Sequence, residues 1–223
     1  SRTDVGTGSS TYEAVSSLAG EGTAEQFSKN ASTYWGPQPF LSGPVYFGII
    51  IMLLGILGLF IIRSRLKWVI LGLAIFGIML SWGRHFSGLN YFLFDHLPLY
   101  NKFRTPSMAM VIPGFMFCLL AIWALQEYLT QQWEEGKLLD YLKKSVLITG
   151  GLCVLLGLGG RFFLSFKGEN DDKLKAQMVQ MTGGNEQAGS KIYNALVEDR
   201  PSIAMKDGLR SLLFILLAAG LLW

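Results

Sequence analysis

Residues 84–106 place six ionisable side chains, Arg84, His85, Asp95, His96, Lys102 and Arg104, in an otherwise apolar and aromatic stretch. A guanidinium offers a planar fork that matches two oxygens of a phosphate, and an ammonium adds a point charge beside it. Arg104, between Phe103 and Thr105-Pro106 at the mouth of an apolar run, is the leading candidate for a phosphate contact, with Lys102 and Arg84 as helpers. Tyr91, Tyr100 and Phe103 are rings of the kind that stack on a sugar or line a lipid tail. The plainer alternative for the cations is that they reach back to a membrane surface and hold ordinary headgroups loosely. Asp95-His96 sets a carboxylate beside an imidazole, which is acid–base equipment. Adjacent residues rarely point the same way, however, and two histidines eleven positions apart are a poor metal signal. No metal site is read from these residues, and a divalent metal cofactor is left open.

The elements that hold this segment are apolar. Hydrophobic residues make up 51% of the chain and charged residues only 16%, where a soluble domain carries about a quarter charged. The mean hydropathy is +0.37. The expected class is therefore all-α: a multi-pass transmembrane helix bundle with extracytoplasmic loops and short amphipathic helices. The net charge of +3, with no dense basic cluster, argues against a nucleic-acid partner. Cys118 and Cys153 lie in apolar runs without ligand spacing, so they read as small buried hydrophobes rather than a disulfide or zinc site.

Residues 1–42 are polar, with helical character over 11–26 interrupted by Gly20 and Gly22, and with an aromatic, proline-rich stretch at 34–40 suited to the membrane interface. A bundle of four spans is expected over 43–163. The first covers about 44–62, with Pro44 in its first turn, and the second 68–83. The third covers 107–126, with a kink at Pro113-Gly114, and the fourth 145–163, rich in glycine. Segment 84–106 is expected to dip toward the membrane surface or line a cavity. Residues 164–207 form a polar insertion with helical patterns at 171–181 and 187–197 separated by Gly183-Gly184. Asp207 is expected to cap a fifth span over 208–223. The group Glu198-Asp199-Arg200, with Asp207 and Arg210, reads as salt bridging and capping.

Arg63, Arg65 and Lys67 in the short link after the first span mark a cytoplasmic loop. By alternation, 1–42, 84–106 and 164–207 then fall on the extracytoplasmic side. The chain does not begin with Met, and its last apolar run, about 15 residues from Leu209 to Trp223, is short of the roughly 20 that cross a bilayer. An internal piece of a longer protein is the expectation.

The stretches Tyr34-Trp35-Gly36-Pro37-Gln38-Pro39-Phe40 and Ser42-Gly43-Pro44-Val45-Tyr46-Phe47-Gly48 resemble the YfhO family of bacterial membrane proteins in its Bacteroidetes form. So do Asp95 through Pro106, and Glu198-Asp199-Arg200 leading through Asp207 and Arg210 into an apolar helix. The resemblance implies a longer protein similar to GT-C glycosyltransferases. Such enzymes take a sugar from a polyprenyl-phosphate carrier outside the cytoplasmic membrane. It implies that Arg104 touches the carrier phosphate, and that the catalytic Asp lies in an early extracytoplasmic loop that these residues do not match. The expected partners are membrane lipids, the polyprenyl-phosphate sugar donor and other envelope proteins. The competing readings are a non-catalytic subunit of an envelope complex, and a transporter or flippase for a lipid-linked substrate. The latter calls for ionisable residues inside spans, and the spans here are almost free of charge.

Overall fold

The computed structural model describes residues 5–31, 33, 46–96, 98, 100, 106–134, 136–157, 159–160, 165–168 and 170–223, without the side chains of 84, 85 and 106. Among these residues the regular elements are all helical. They are α1 (Ser10–Ala19), α2 (Glu21–Asn30), α3 (Ile49–Ile61), α4 (Leu66–Ser81), α5 (Ser87–His96), α6 (Val111–Thr130), α7 (Lys137–Gly157), α8 (Asp171–Met181) and α9 (Glu186–Leu222). Short 3₁₀ turns at Gly83–Phe86 and Pro106–Met110 precede α5 and α6. Two compact units result: residues 1–44 with 152–212, and residues 45–151 with 213–223.

In the first unit, Ser9 caps α1 by accepting from the Tyr12 N–H at 3.1 Å. Gly20, at φ +84°, ends α1 and opens α2. The expected helical stretch 11–26 is thus two helices, broken at Gly20, while Gly22 sits inside α2 without interrupting it. Helix α8 occupies the predicted 171–181, with Asp171 and Asp172 in a first turn that favours negative charge. Gly183 and Gly184, both at positive φ, turn the chain back. The Asn185 side chain then accepts from Gln187 and Ala188 N–H and caps α9. Val5, Val15, Ala24, Ala31, Met178, Ile192 and Leu196 are buried together as the core of this unit.

Helix α9 corrects the sequence reading. The pattern at 187–197 and the fifth span are one helix of 37 residues that runs through Pro201. Asp207 is an exposed residue in its middle rather than a cap. Pro201 withholds one N–H from the i−4 carbonyl, that of Val197, and the surrounding packing outweighs that loss.

In the second unit, α6 packs along α3 and α4. The closest approaches fall at small residues. A Cβ at Gly58 would stand 3.0 Å from the Leu120 carbonyl and 3.2 Å from Ala124, and one at Gly77 would stand 2.6 Å from Pro113 Cδ. Leu53, Leu57, Ile61, Ile62, Leu120 and Ala124 are buried. Lys67, in the first turn of α4 rather than in a loop, donates to the Leu59 and Ile62 carbonyls at 2.6 and 2.7 Å and so caps the C-terminus of α3. Pro113 falls in the first turn of α6, where its missing N–H costs little. Pro113-Gly114, where a kink was expected, thus lie inside α6, and the 3₁₀ turn Pro106–Met110 precedes the helix. Residues 137–144, which fell between the third and fourth expected spans, form the first turns of α7.

The outward surface of this unit is apolar. Ile50, Trp68, Val69, Leu73, Ile75, Phe76, Phe115, Ile122, Leu147, Leu216 and Leu217 are all exposed. Ser107–Thr130 is, among the described residues, the one helical stretch long and apolar enough to cross a membrane. Helices α3 and α4 are apolar but shorter.

Candidate functional site

Of the residues nominated in 84–106, Lys102, Phe103 and Arg104 lie outside the described residues, as do the Arg84 and His85 side chains. The remainder sit on or just after α5. Tyr91 is 68% exposed. Asp95 and His96 are exposed at the C-terminal end of the helix. The His96 ring stacks on Phe92 with centroids 4.5 Å apart, and its Nδ1 lies 2.9 Å from the Phe92 carbonyl. That carbonyl only accepts, so the proton sits on Nδ1. The imidazole is thereby turned back along its own helix. The Tyr100 hydroxyl donates to the Asn90 side-chain carbonyl, which ties residue 100 back to α5. No group of three or more His, Cys, Asp or Glu is placed to hold a metal among the described residues. Cys118 and Cys153 are free thiols of intermediate burial.

The densest polar chemistry lies in the first unit, at the pair Asp199-Arg200 on α9. Arg200 is fully buried. Its Nη1 donates to Asp171 Oδ2 at 2.8 Å and to the Phe166 carbonyl at 2.6 Å, and its Nη2 donates to Asp171 Oδ1 at 3.0 Å. This is a bidentate guanidinium–carboxylate pair in a dry setting. Asp171 Oδ2 also accepts from the Gly168 N–H and the Tyr193 hydroxyl, each at 3.1 Å. Burial would raise the Asp171 carboxyl, but the Arg200 hydrogen bonds, the Gly168 N–H, the Arg200 charge and the Tyr193 hydroxyl together hold it below the ordinary carboxylate range. Burial, followed by the facing Asp171 charge, pushes the Tyr193 hydroxyl up.

The neighbouring carboxylate serves the other end of the chain. Asp199 Oδ1 accepts from the Ser10 N–H at 3.0 Å, and Oδ2 accepts from the Thr11 N–H at 2.8 Å and the Thr11 hydroxyl at 2.6 Å. With Ser9 taking the Tyr12 N–H, the first turn of α1 is capped from two sides. The salt bridging and capping read from Glu198-Asp199-Arg200 are therefore present, but they join α9 to α1 and to Asp171 rather than marking the start of a span. Nothing local in the sequence announces this set. Its partners are 29 and 188 residues apart, and Asp171 taken alone reads only as a helix-start residue.

Beside Asp199 opens a cleft of about 390 Å³, lined by Gly8, Ser10, Gly157, Glu198, Ser202 and Met205 among others. Glu198 on its rim is exposed. The N–H groups of α1 nearest this cleft are already taken by Asp199, which leaves it no built anion site.

No family model, curated protein or solved structure matches the chain.

Proposed function

We propose that this chain acts in the bacterial cytoplasmic membrane as a multi-pass, GT-C-like glycosyltransferase. It would use a polyprenyl-phosphate-linked sugar to modify a cell-envelope polymer or lipid, with its working face extracytoplasmic. The observation that carries the membrane part is the surface of α3, α4, α6 and α7, where Ile50, Val69, Phe76, Phe115, Ile122 and Leu147 face outward while glycines and Ala124 stand at the closest helix approaches. Large side chains outside and small ones at the crossings is the arrangement that lipid rewards and water penalises.

The sugar-transfer part rests on the sequence cluster Arg84, Lys102 and Arg104 with the rings Tyr91, Tyr100 and Phe103. In this reading Arg104 steadies the departing carrier phosphate as negative charge develops on it. Lys102 and Arg84 lend charge, and the rings line the sugar or the lipid tail. Asp95 and His96 stay weak candidates for proton transfer, because His96 is engaged with Phe92. A transporter would need ionisable groups within its spans. Those of α3, α4 and α6 are Lys67 and Glu127, both near helix ends.

The test is transfer from a lipid-linked donor by the full-length protein in its native membrane. Arg104→Ala is expected to lower the rate by about 100-fold, the usual loss when one positioned donor to a developing anion is removed. Wild-type activity in that variant would end the phosphate assignment. A wild type inactive with every polyprenyl-linked donor would favour a non-catalytic subunit.

A further inference from the structure

Helix α5 has no buried residue. It is ten residues long, and an isolated helix of that length is marginal in water. Leu89, Asn90 and Leu93 are half-buried, whereas Tyr91, Phe92 and Phe94 are 68, 57 and 53% exposed. Among the described residues nothing buries these three rings, and a cover for them has to be sought elsewhere.

Two observations identify it. The first is continuity. Helix α4, which carries the outward apolar residues Val69, Leu73, Ile75 and Phe76, ends at Trp82, which is 54% exposed and stands edge-on to Phe86 with centroids 6.2 Å apart. The 3₁₀ turn at Gly83–Phe86 then leads straight into α5. The aromatic rings thus begin where the apolar band of α4 stops, the level at which Trp and Tyr sit in a bilayer. The second is distribution. At about 100° per residue, Tyr91, Phe92 and Phe94 spread over an arc of roughly 160°, with Asp95 in its middle. A helix docking into a protein groove presents a narrow stripe of anchors, and here such a groove would bury the Asp95 carboxylate with them. A headgroup layer accepts rings over a wide arc and offers ammonium groups to the carboxylate.

We propose that α5 lies in the phospholipid headgroup layer, its rings at the acyl boundary and Asp95 among the headgroups. The proposal rests on the membrane reading above and adds a second element to it, a helix lying in the interface.

Spin labels test it in the full-length protein, reconstituted in nanodiscs of phosphatidylethanolamine and phosphatidylglycerol with Cys118→Ala and Cys153→Ala. Labels at Tyr91→Cys and Phe92→Cys are compared with Ile122→Cys on α6 and Met181→Cys at the end of α8, and Phe94→Cys stands in if either α5 variant fails to insert. Collision with oxygen against a water-soluble nickel chelate reads the depth. The expected result is Ile122→Cys deep, Met181→Cys aqueous, and the α5 labels between them at headgroup depth. With Ile122→Cys deep, α5 labels that read fully aqueous, as deep as Ile122→Cys, or shielded from both reagents would overturn the interfacial placement, the last in favour of a protein partner. An aqueous Ile122→Cys would instead overturn the membrane reading itself.

Discussion

Thr11 gives both its backbone N–H and its hydroxyl to one oxygen of Asp199, at 2.8 and 2.6 Å, across 188 residues of chain. A carboxylate from α9 therefore supplies what a local cap normally supplies, and it brings a full charge to the positive end of α1. Thr11 is fully buried, so no water stands ready to replace the lost acceptor.

Asp199→Ala is expected to destabilise the first unit by about 2–3 kcal/mol, the loss of a cap together with a buried hydroxyl left unsatisfied. Asp199→Asn, which keeps an acceptor, should cost less, and Glu198→Ala on the exposed rim next door almost nothing. Hydrogen exchange of the Ser10, Thr11 and Tyr12 amides reads the effect directly. Unchanged protection in Asp199→Ala would refute the capping role.

Arg200 and Asp171 form a buried pair, and removing one partner leaves the other charged and dry. Arg200→Met or Asp171→Leu alone should each cost about 3–5 kcal/mol, while the double variant should recover most of that loss. Thermal or denaturant melts of the four proteins give the coupling. Additive costs would mean that the two side chains do not depend on each other.

The pH dependence follows from the same pair and has two arms. The folded-state pKa of Asp171 is lowered, so its contribution is present above the unfolded carboxylate value of about 3.9 and is lost as pH falls through the lower folded value. That of Tyr193 is raised, so its contribution is present below about pH 10 and is lost as pH climbs past the raised folded value. Melting temperature against pH should therefore fall at both extremes in the wild type. Tyr193→Phe should flatten the alkaline arm and, because its hydroxyl also helps to hold Asp171 down, soften the acid arm slightly; an unaltered alkaline arm in that variant would contradict the assignment.

Two glycines of α4 make opposite predictions. A Cβ at Gly77 would meet Pro113 Cδ at 2.6 Å and Ile112 Cβ at 3.0 Å, whereas one at Gly72 meets nothing within 4 Å. Gly77→Ala should force α4 and α6 apart at a cost of about 1–3 kcal/mol. Gly72→Ala should be neutral or gain up to about 1 kcal/mol from helix propensity. Unfolding in mild detergent separates them, and equal melting of the two variants would show that the crossing is looser than the geometry implies.

What the sequence made legible was local. The span of α8 followed from its pattern, and the turn after it from Gly183-Gly184, whose positive φ suits residues without a Cβ. Pro201, Asp207 and Arg210 carried the local signature of one helix ending and another beginning, and the structure runs a single helix through all three. The reason is tertiary: Leu196 and Ile192 pack into the first unit's core and Arg200 is pinned to Asp171, so packing outweighs one missing hydrogen bond. The polar set Asp199–Thr11 and Arg200–Asp171 was not legible, because each pair joins segments with no shared pattern. The ionic segment before α6 was visible as unusual, and α5 within it was not, since its apolar residues keep no clean helical stripe.

The reach between Thr11 and Asp199 also sets an order of events during synthesis. At roughly 5–20 residues per second, the ribosome needs about 10–40 s to add the residues that separate them. For that interval the amides of Ser10 and Thr11 lack their acceptor, and α1, ten residues long, is marginal on its own. The N-terminal helices of this chain must wait for its last third before they can settle.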